Sequence, residues 1–248
     1  MVGLIYKDLC CLRKHIKMFA VLTGTVIALS LLFVLSMEHG NVALMIAEMS
    51  EEEFFGLFQT AIWCVMILPI ACSAMIQECF KEDATANFKK CLYALPVKEE
   101  KVVGGRYMAG LAFLFLGFLG TLSVGGCIAL ATDVFKFREL LGYSVTFLAL
   151  LILYEAFVMF ILYTVDGKKA DLIQCVPLVV ALVGFMAWFI GKTADMADEQ
   201  FTQLLRDSMD KINDIMTYDC IWILLAALLG MVISYIGSVF MQKKRGLK

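Results

Sequence analysis

One acidic residue, Glu155, lies inside a long apolar stretch and is the strongest candidate for chemistry in this sequence. Residues 141–163 otherwise carry only apolar, small or hydroxyl-bearing side chains. A carboxylate in a hydrocarbon environment is costly, and such residues commonly lie on an ion pathway or couple helix movements. Protonation, pairing with Tyr or Ser hydroxyls, or extension of the side chain to the membrane surface are the alternatives. We therefore treat Glu155 as a candidate pathway residue.

Other constellations that could do chemistry are not convincing. His15 and His39 stand at opposite ends of the first apolar stretch, so they cannot share a metal ion or exchange a proton. Gly191-Lys192-Thr193 resembles the end of a phosphate-binding loop, but the glycine required five residues earlier is replaced by Met186. We predict no catalytic residues, no metal site and no enzymatic activity in this chain itself.

The composition is that of a membrane protein. Of 248 residues, 61% are hydrophobic and 18% charged, whereas roughly a quarter of the residues in a soluble domain are charged. The apolar residues fall in blocks of about 20, the length that crosses a bilayer. Six blocks qualify as spans: 18–37, 57–76, 103–132, 141–163, 172–191 and 220–241. The sequence predicts an all-α membrane protein with a single transmembrane domain over 1–248.

Basic residues are distributed unevenly between the two sides of these six spans. The N-terminal segment, the second and fourth loops and the C-terminal tail hold 16 of the 21 Lys and Arg residues. The remaining five are Lys136, Arg138, Lys192, Arg206 and Lys211. Because basic loops stay in the cytoplasm, both termini are predicted to be cytoplasmic.

The first residues show the pattern of a helix that lies on the inner membrane surface. Apolar side chains recur three and four residues apart, and basic residues stand off that stripe. The stripe consists of Val2, Ile5, Leu9, Leu12 and Ile16. A cytoplasmic extension of the first span is the alternative.

A second amphipathic helix is predicted outside the membrane, between the fifth and sixth spans. Residues 198–216 place six apolar side chains on one face: Phe201, Leu204, Leu205, Ile212, Ile215 and Met216. This helix either caps the bundle or is an ordinary packed loop helix.

The second cytoplasmic loop, residues 77–103, is predicted to contain a third amphipathic helix over 83–95. Asp83 is the predicted N-cap, and Pro96 ends the apolar run. The apolar positions are Ala84, Phe88, Cys91, Leu92 and Leu95. No soluble domain of this chain could bury that stripe, so it must contact lipid, the base of the bundle or another protein.

This loop resembles the corresponding region of the ABC-2 type permeases, the membrane subunits of ATP-driven exporters. The residues that carry the resemblance are Glu78, Phe80, Glu82, Asp83, Phe88, Leu95-Pro96-Val97, Val102, Val103, Arg106 and Tyr107. The N-terminal Leu4-Ile5-Tyr6-Lys7-Asp8-Leu9 also resembles the opening of that family.

The resemblance implies that the loop helix couples the chain to a separate ATPase. The implied coupling residues are Glu82, Asp83, Phe88, Lys89, Lys90, Leu92, Leu95 and Pro96. It implies two permease copies and two ATPase copies in a bacterial plasma membrane, with ATP and Mg on the ATPase and no cofactor on this chain. The small size is similar to exporters of amphipathic peptides such as phenol-soluble modulins. An exporter of drugs or for bacteriocin immunity, and a scaffold or immunity protein that transports nothing, are the alternatives.

Overall fold

The computed structural model describes most of the apolar sequence as helix. The described residues are 6–7, 13–39, 66–86, 98–132, 137–164, 170–193, 211, 214–216 and 218–246. They contain six long helices and no strand. In chain order, α1 to α6 are Arg13–His39, Ile67–Thr85, Glu99–Thr132, Phe137–Thr164, Ala170–Thr193 and Cys220–Gly246. The prediction of an all-helical fold is confirmed for this part of the chain.

Three stretches of the described helices are long and apolar enough to cross a membrane. They are Glu99–Cys127, Leu140–Thr164 and Cys220–Lys244, within α3, α4 and α6. Shorter apolar stretches, Ile16–Leu29 and Cys175–Trp188, lie in α1 and α5. The protein is therefore an integral membrane protein with at least three such helices. The full set of six spans stays a prediction, as does the single domain.

Helices α3 and α4 form the centre of the bundle. Helix α4 packs most extensively against α6, and α3 packs against α2 and α4. The main core contains buried side chains of α2, α3, α4 and α6, among them Ile76, Leu114, Met159 and Met231. In contrast, α5 and the outer face of α6 expose large apolar side chains such as Val180 and Phe240, as expected for surfaces in contact with lipid.

Close approach of α2 and α3 depends on a glycine. A β-carbon at Gly117 would lie only 2.6 Å from the Cα atom of Pro69, in the first turn of α2. Small residues allow helix backbones to approach in this way, and the resulting van der Waals contact stabilises helix pairs within lipid. Gly24 of α1 is not part of such a close contact, because an added β-carbon there would have no neighbour within 4 Å.

Side-chain contacts define two ends of the bundle. At one end, Phe80 near the end of α2 stacks edge-on against Tyr163 near the end of α4, with ring centroids 5.4 Å apart. At the same end, the Nζ atom of Lys243 in α6 lies 2.6 Å from Oε1 of Glu100 at the start of α3. The described basic residues at this end include Lys7, Arg106 and Lys243, which belong to segments that the charge distribution assigns to the cytoplasm. At the other end, Arg138 at the start of α4 lies over the ring of Tyr218, 5.3 Å from its centroid.

The second helix ends later than the sequence predicted. Asp83 is not the N-cap of a new helix, because α2 continues through it to Thr85. The loop predicted over 77–103 is likewise wrong at its start, since Gln77 and Cys79 are buried side chains of α2. The sequence favours a loop here because charged residues follow the apolar run. Ion pairs with distant residues instead allow the charged turn to stay helical against the bundle.

Candidate coupling site at the end of α2

The last turn of α2 carries an ion cluster centred on Asp83. Lys7, from the N-terminal segment, places its Nζ atom 2.6 Å from Oδ1 of Asp83. Arg106, in the second turn of α3, donates a hydrogen bond from Nη2 to Oδ2 of the same carboxylate. One carboxylate therefore connects three segments of the chain, and each of its oxygens accepts a charge-assisted hydrogen bond.

The guanidinium of Arg106 lies against the aromatic ring of Phe80 as well as against Asp83. Arg106 is 7% exposed, and its Cζ atom lies 4.7 Å from the centroid of the Phe80 ring. Phe80 in turn contacts Tyr163 of α4. A cation over an aromatic face is attracted to the ring electrons, and the attraction strengthens when water is excluded. The cluster of Lys7, Phe80, Asp83, Arg106 and Tyr163 is called the Asp83 cluster below.

A second set of polar side chains lies deeper in the bundle, between α2 and α4. Glu155 is fully buried, and the hydroxyl of Ser73 donates a hydrogen bond to its Oε1 atom. One turn further along α2, Gln77 donates from Nε2 to the Tyr154 hydroxyl oxygen at 3.3 Å. The sequence predicts Glu155 as a candidate residue, and its pairing with a Ser hydroxyl is one of the alternatives to a pathway role.

Hydroxyl groups also join α3 to α6 in the interior. The Tyr107 hydroxyl oxygen lies 2.6 Å from Oγ of Ser234 and 2.8 Å from Oγ of Ser238. Ser234 also donates a hydrogen bond to the carbonyl oxygen of Ala156 in α4. These contacts connect α3, α4 and α6 with neutral groups, which cost less to bury than charges.

A groove of about 390 Å³ lies between α1 and α2. Its walls are apolar except for one carboxylate, and they are formed by Met18, Phe19, Leu22, Ala71, Ala74, Met75 and Glu78. Glu78 pairs with Lys81, with 2.6 Å between Oε1 and Nζ. Because Met18 is 67% exposed, the groove is open at the surface of the bundle.

Only part of the predicted coupling and membrane-surface residues can be placed. Glu82 is exposed and lies beside Asp83 in the last turn of α2. Ile16 lies in α1, where it packs against the main core. Outside the described residues are Phe88, Lys89, Lys90, Leu92, Leu95, Pro96, Val2, Ile5, Leu9 and Leu12. The helix over 198–216 is described only at Lys211 and 214–216, so it stays a prediction, as does the helix over 2–16. Of the helix over 83–95, the predicted start is wrong, and only the part beyond the end of α2 stays a prediction.

Sequence reasoning did not predict the partners of Asp83. In the sequence, Lys7 and Arg106 stand out as basic residues of predicted cytoplasmic segments and as residues that carry the family resemblance, not as partners of Asp83. The pair of Asp83 and Arg106 could have been predicted from the sequence. Because α2 and α3 are consecutive antiparallel helices, opposite charges at the end of one and the start of the next lie close together. No comparable signal identifies Lys7, which is 76 residues from Asp83 in the sequence.

Long apolar helices with interior polar clusters define an integral membrane protein of the helical-bundle class. Residues 3–243 match the family model described as "ABC-2 family transporter protein", which covers nearly the whole chain. The chain therefore belongs to the ABC-2 transporter family, whose members are membrane components of transporters. No curated protein and no solved structure matches the chain.

Proposed function

We propose that this chain is the permease subunit of an ATP-driven exporter and moves amphipathic peptides out of a bacterial cytoplasm. Two permease copies with six spans each would assemble with two copies of a separate ATPase. Both termini would lie in the cytoplasm, and ATP and Mg would bind to the ATPase. The membership of residues 3–243 in the ABC-2 family supports the transporter role.

The observation that carries this proposal is the position of the Asp83 cluster. Asp83 lies four residues before position 87, the first position after α2 that is outside the described residues. It therefore stands at the start of the segment predicted to couple the chain to its ATPase. Lys7, Arg106 and Tyr163 connect this point to the N-terminal segment, α3 and α4. A displacement of the segment after Asp83 would therefore move several parts of the bundle together.

The coupling segment itself would bind the ATPase through its apolar stripe. Phe88 and Leu92 would enter a pocket of the ATPase, and Lys89 and Lys90 would lie at the rim of that interface. Apolar anchors in a pocket commonly contribute about 2 kcal/mol or more each to such an interface. Charges at a rim mainly affect the association rate and its salt dependence.

The groove between α1 and α2 supports the proposal that the substrate is amphiphilic. Its apolar walls suit aliphatic or aromatic side chains, and Glu78 gives one end a polar group. Because the groove opens at the bundle surface, a peptide partitioned into the membrane could reach it laterally. An amphipathic helix binds such grooves with its apolar face and leaves its polar face in contact with water or headgroups.

Reconstitution tests the proposed substrate class. The permease and its ATPase would be placed in liposomes, and ATP turnover measured with an amphipathic helical peptide or a scrambled peptide of the same composition. We expect stimulation only by the amphipathic peptide. Ala74→Trp, which fills the groove, should reduce that stimulation, whereas Ala112→Trp at an exposed position of α3 should not.

The same assay separates the alternatives. Stimulation by small hydrophobic drugs but not by the peptide would favour a drug exporter. A permease that binds an ATPase but responds to neither compound would contradict the peptide proposal. Failure to bind any ATPase would favour a scaffold or immunity protein.

A further inference from the structure

The contact between α2 and α4 contains two buried oxygen atoms that lack a hydrogen-bond donor in the described structure. One is Oε2 of Glu155, and the other is Oε1 of Gln77. Glu155 is 0% exposed and Gln77 is 2% exposed, so bulk water does not reach either side chain. The other polar atoms of the two groups are already used, by Ser73 and Tyr154 respectively.

Within the described part of the chain, the polar groups found around Glu155 carry no positive charge. Helix α2 contributes Ser73 and Gln77, and α4 contributes the Tyr154 hydroxyl. Helix α3 contributes the Tyr107 hydroxyl, within electrostatic range of Glu155, and α6 contributes Ser234, which binds the next residue of α4. Among the described residues, no ion pair includes Glu155. An ionised carboxylate here would be buried without compensation, a costly arrangement.

Protonation of Glu155 would remove the uncompensated charge and would also supply the missing hydrogen-bond donor. A protonated carboxyl group has no net charge, and its hydroxyl becomes a hydrogen-bond donor. Oε2 of Glu155 would then be that donor, while the unpaired Oε1 of Gln77 is an acceptor on the same helix contact. Ser73 would continue to donate to the carbonyl oxygen, Oε1 of Glu155.

We propose that Glu155, Ser73 and Gln77 form a proton-binding site between α2 and α4. Glu155 holds the proton as a neutral carboxylic acid at neutral pH, with Gln77 as the acceptor for its hydroxyl. Separation of α2 from α4 admits water, which accepts the proton and solvates the carboxylate. Closure of the two helices returns a proton to the same oxygen. The site does not depend on the identity of the exported substrate or on the presence of an ATPase.

Infrared spectroscopy of the full-length protein in liposomes tests the site directly. We expect a carbonyl stretching band of a protonated carboxylic acid at neutral pH, and its loss in Glu155→Gln. Glu78→Gln is the matched control, because Glu78 is a partly exposed carboxylate paired with Lys81 and should contribute no such band. Ser73→Ala should shift the band to higher frequency, since it removes the hydrogen bond to the carbonyl oxygen.

Two results would overturn the proposal. One is a neutral-pH spectrum in which no protonated carboxyl band is assignable to Glu155. The other is a band that appears only after sodium or potassium is removed, which would assign the site to a metal cation instead. The shift in Ser73→Ala gives an independent assignment if Glu155→Gln does not fold.

Discussion

At the residue scale, the Asp83 cluster illustrates how a charged group can be held at the edge of a membrane bundle. Arg106 is almost completely buried, whereas its partner Asp83 keeps 20% of its side chain exposed. The guanidinium has therefore lost most of its hydration and depends on the carboxylate and the Phe80 ring. Asp83 should consequently matter more for stability than its exposed neighbour Glu82.

Asp83→Asn tests this difference. The substitution keeps the size of the side chain but removes the charge that compensates Arg106, so we expect a loss of about 2–3 kcal/mol in stability. Glu82→Gln is the control and should change stability by less than about 0.5 kcal/mol. Thermal unfolding of the purified protein measures both. Equal effects of the two substitutions would contradict the role of the cluster.

At the element scale, the α2–α3 contact combines a glycine with an early proline. Pro69 lies in the first turn of α2, where its missing amide hydrogen is not needed by the helix. Gly117 then allows the α3 backbone to approach that turn. This contact sets the position of α2, and thus of the Asp83 cluster at its other end.

Gly117→Ala should disturb this contact. The new β-carbon would lie 2.6 Å from the Cα atom of Pro69, a backbone atom that cannot rotate away, so we expect destabilisation of about 1–3 kcal/mol. Gly24→Ala is the matched control, because its β-carbon has free space and alanine favours helix. The two melting temperatures should move in opposite directions or differ clearly. Equal decreases would show that the α2–α3 approach is not the tight contact described here.

At the scale of the whole molecule, the described ends of α2, α4 and α6 and the start of α3 lie on one side of the bundle. That arrangement fits the charge distribution, which predicts that Lys90 and Lys244 are cytoplasmic and that Glu52 and Asp207 are extracellular. Single cysteines at these positions in a cysteine-free variant allow labelling of intact cells with an impermeant reagent. Only positions 52 and 207 should react, and reaction at position 90 would rule out the six-span topology.

Much of the bundle was predictable because long apolar blocks leave few structural alternatives within a bilayer. The blocks 103–132, 141–163 and 220–241 correspond to α3, α4 and α6. The end of α2 was not predictable, because the partners of Asp83 come from distant parts of the sequence. The Tyr107 contacts with Ser234 and Ser238 were missed for the same reason, since isolated hydroxyls have no periodic pattern.

The central claim is that the segment after Asp83 couples this chain to a separate ATPase. The most direct measurement is co-purification of an ATPase with tagged parent protein and with the Phe88→Ala/Leu92→Ala variant. The parent should retain the ATPase and the double variant should lose it while its bundle stays folded; Lys89→Ala should have a smaller effect. A folded double variant that retains the ATPase with unchanged export would contradict the claim, as would a parent protein that binds no ATPase.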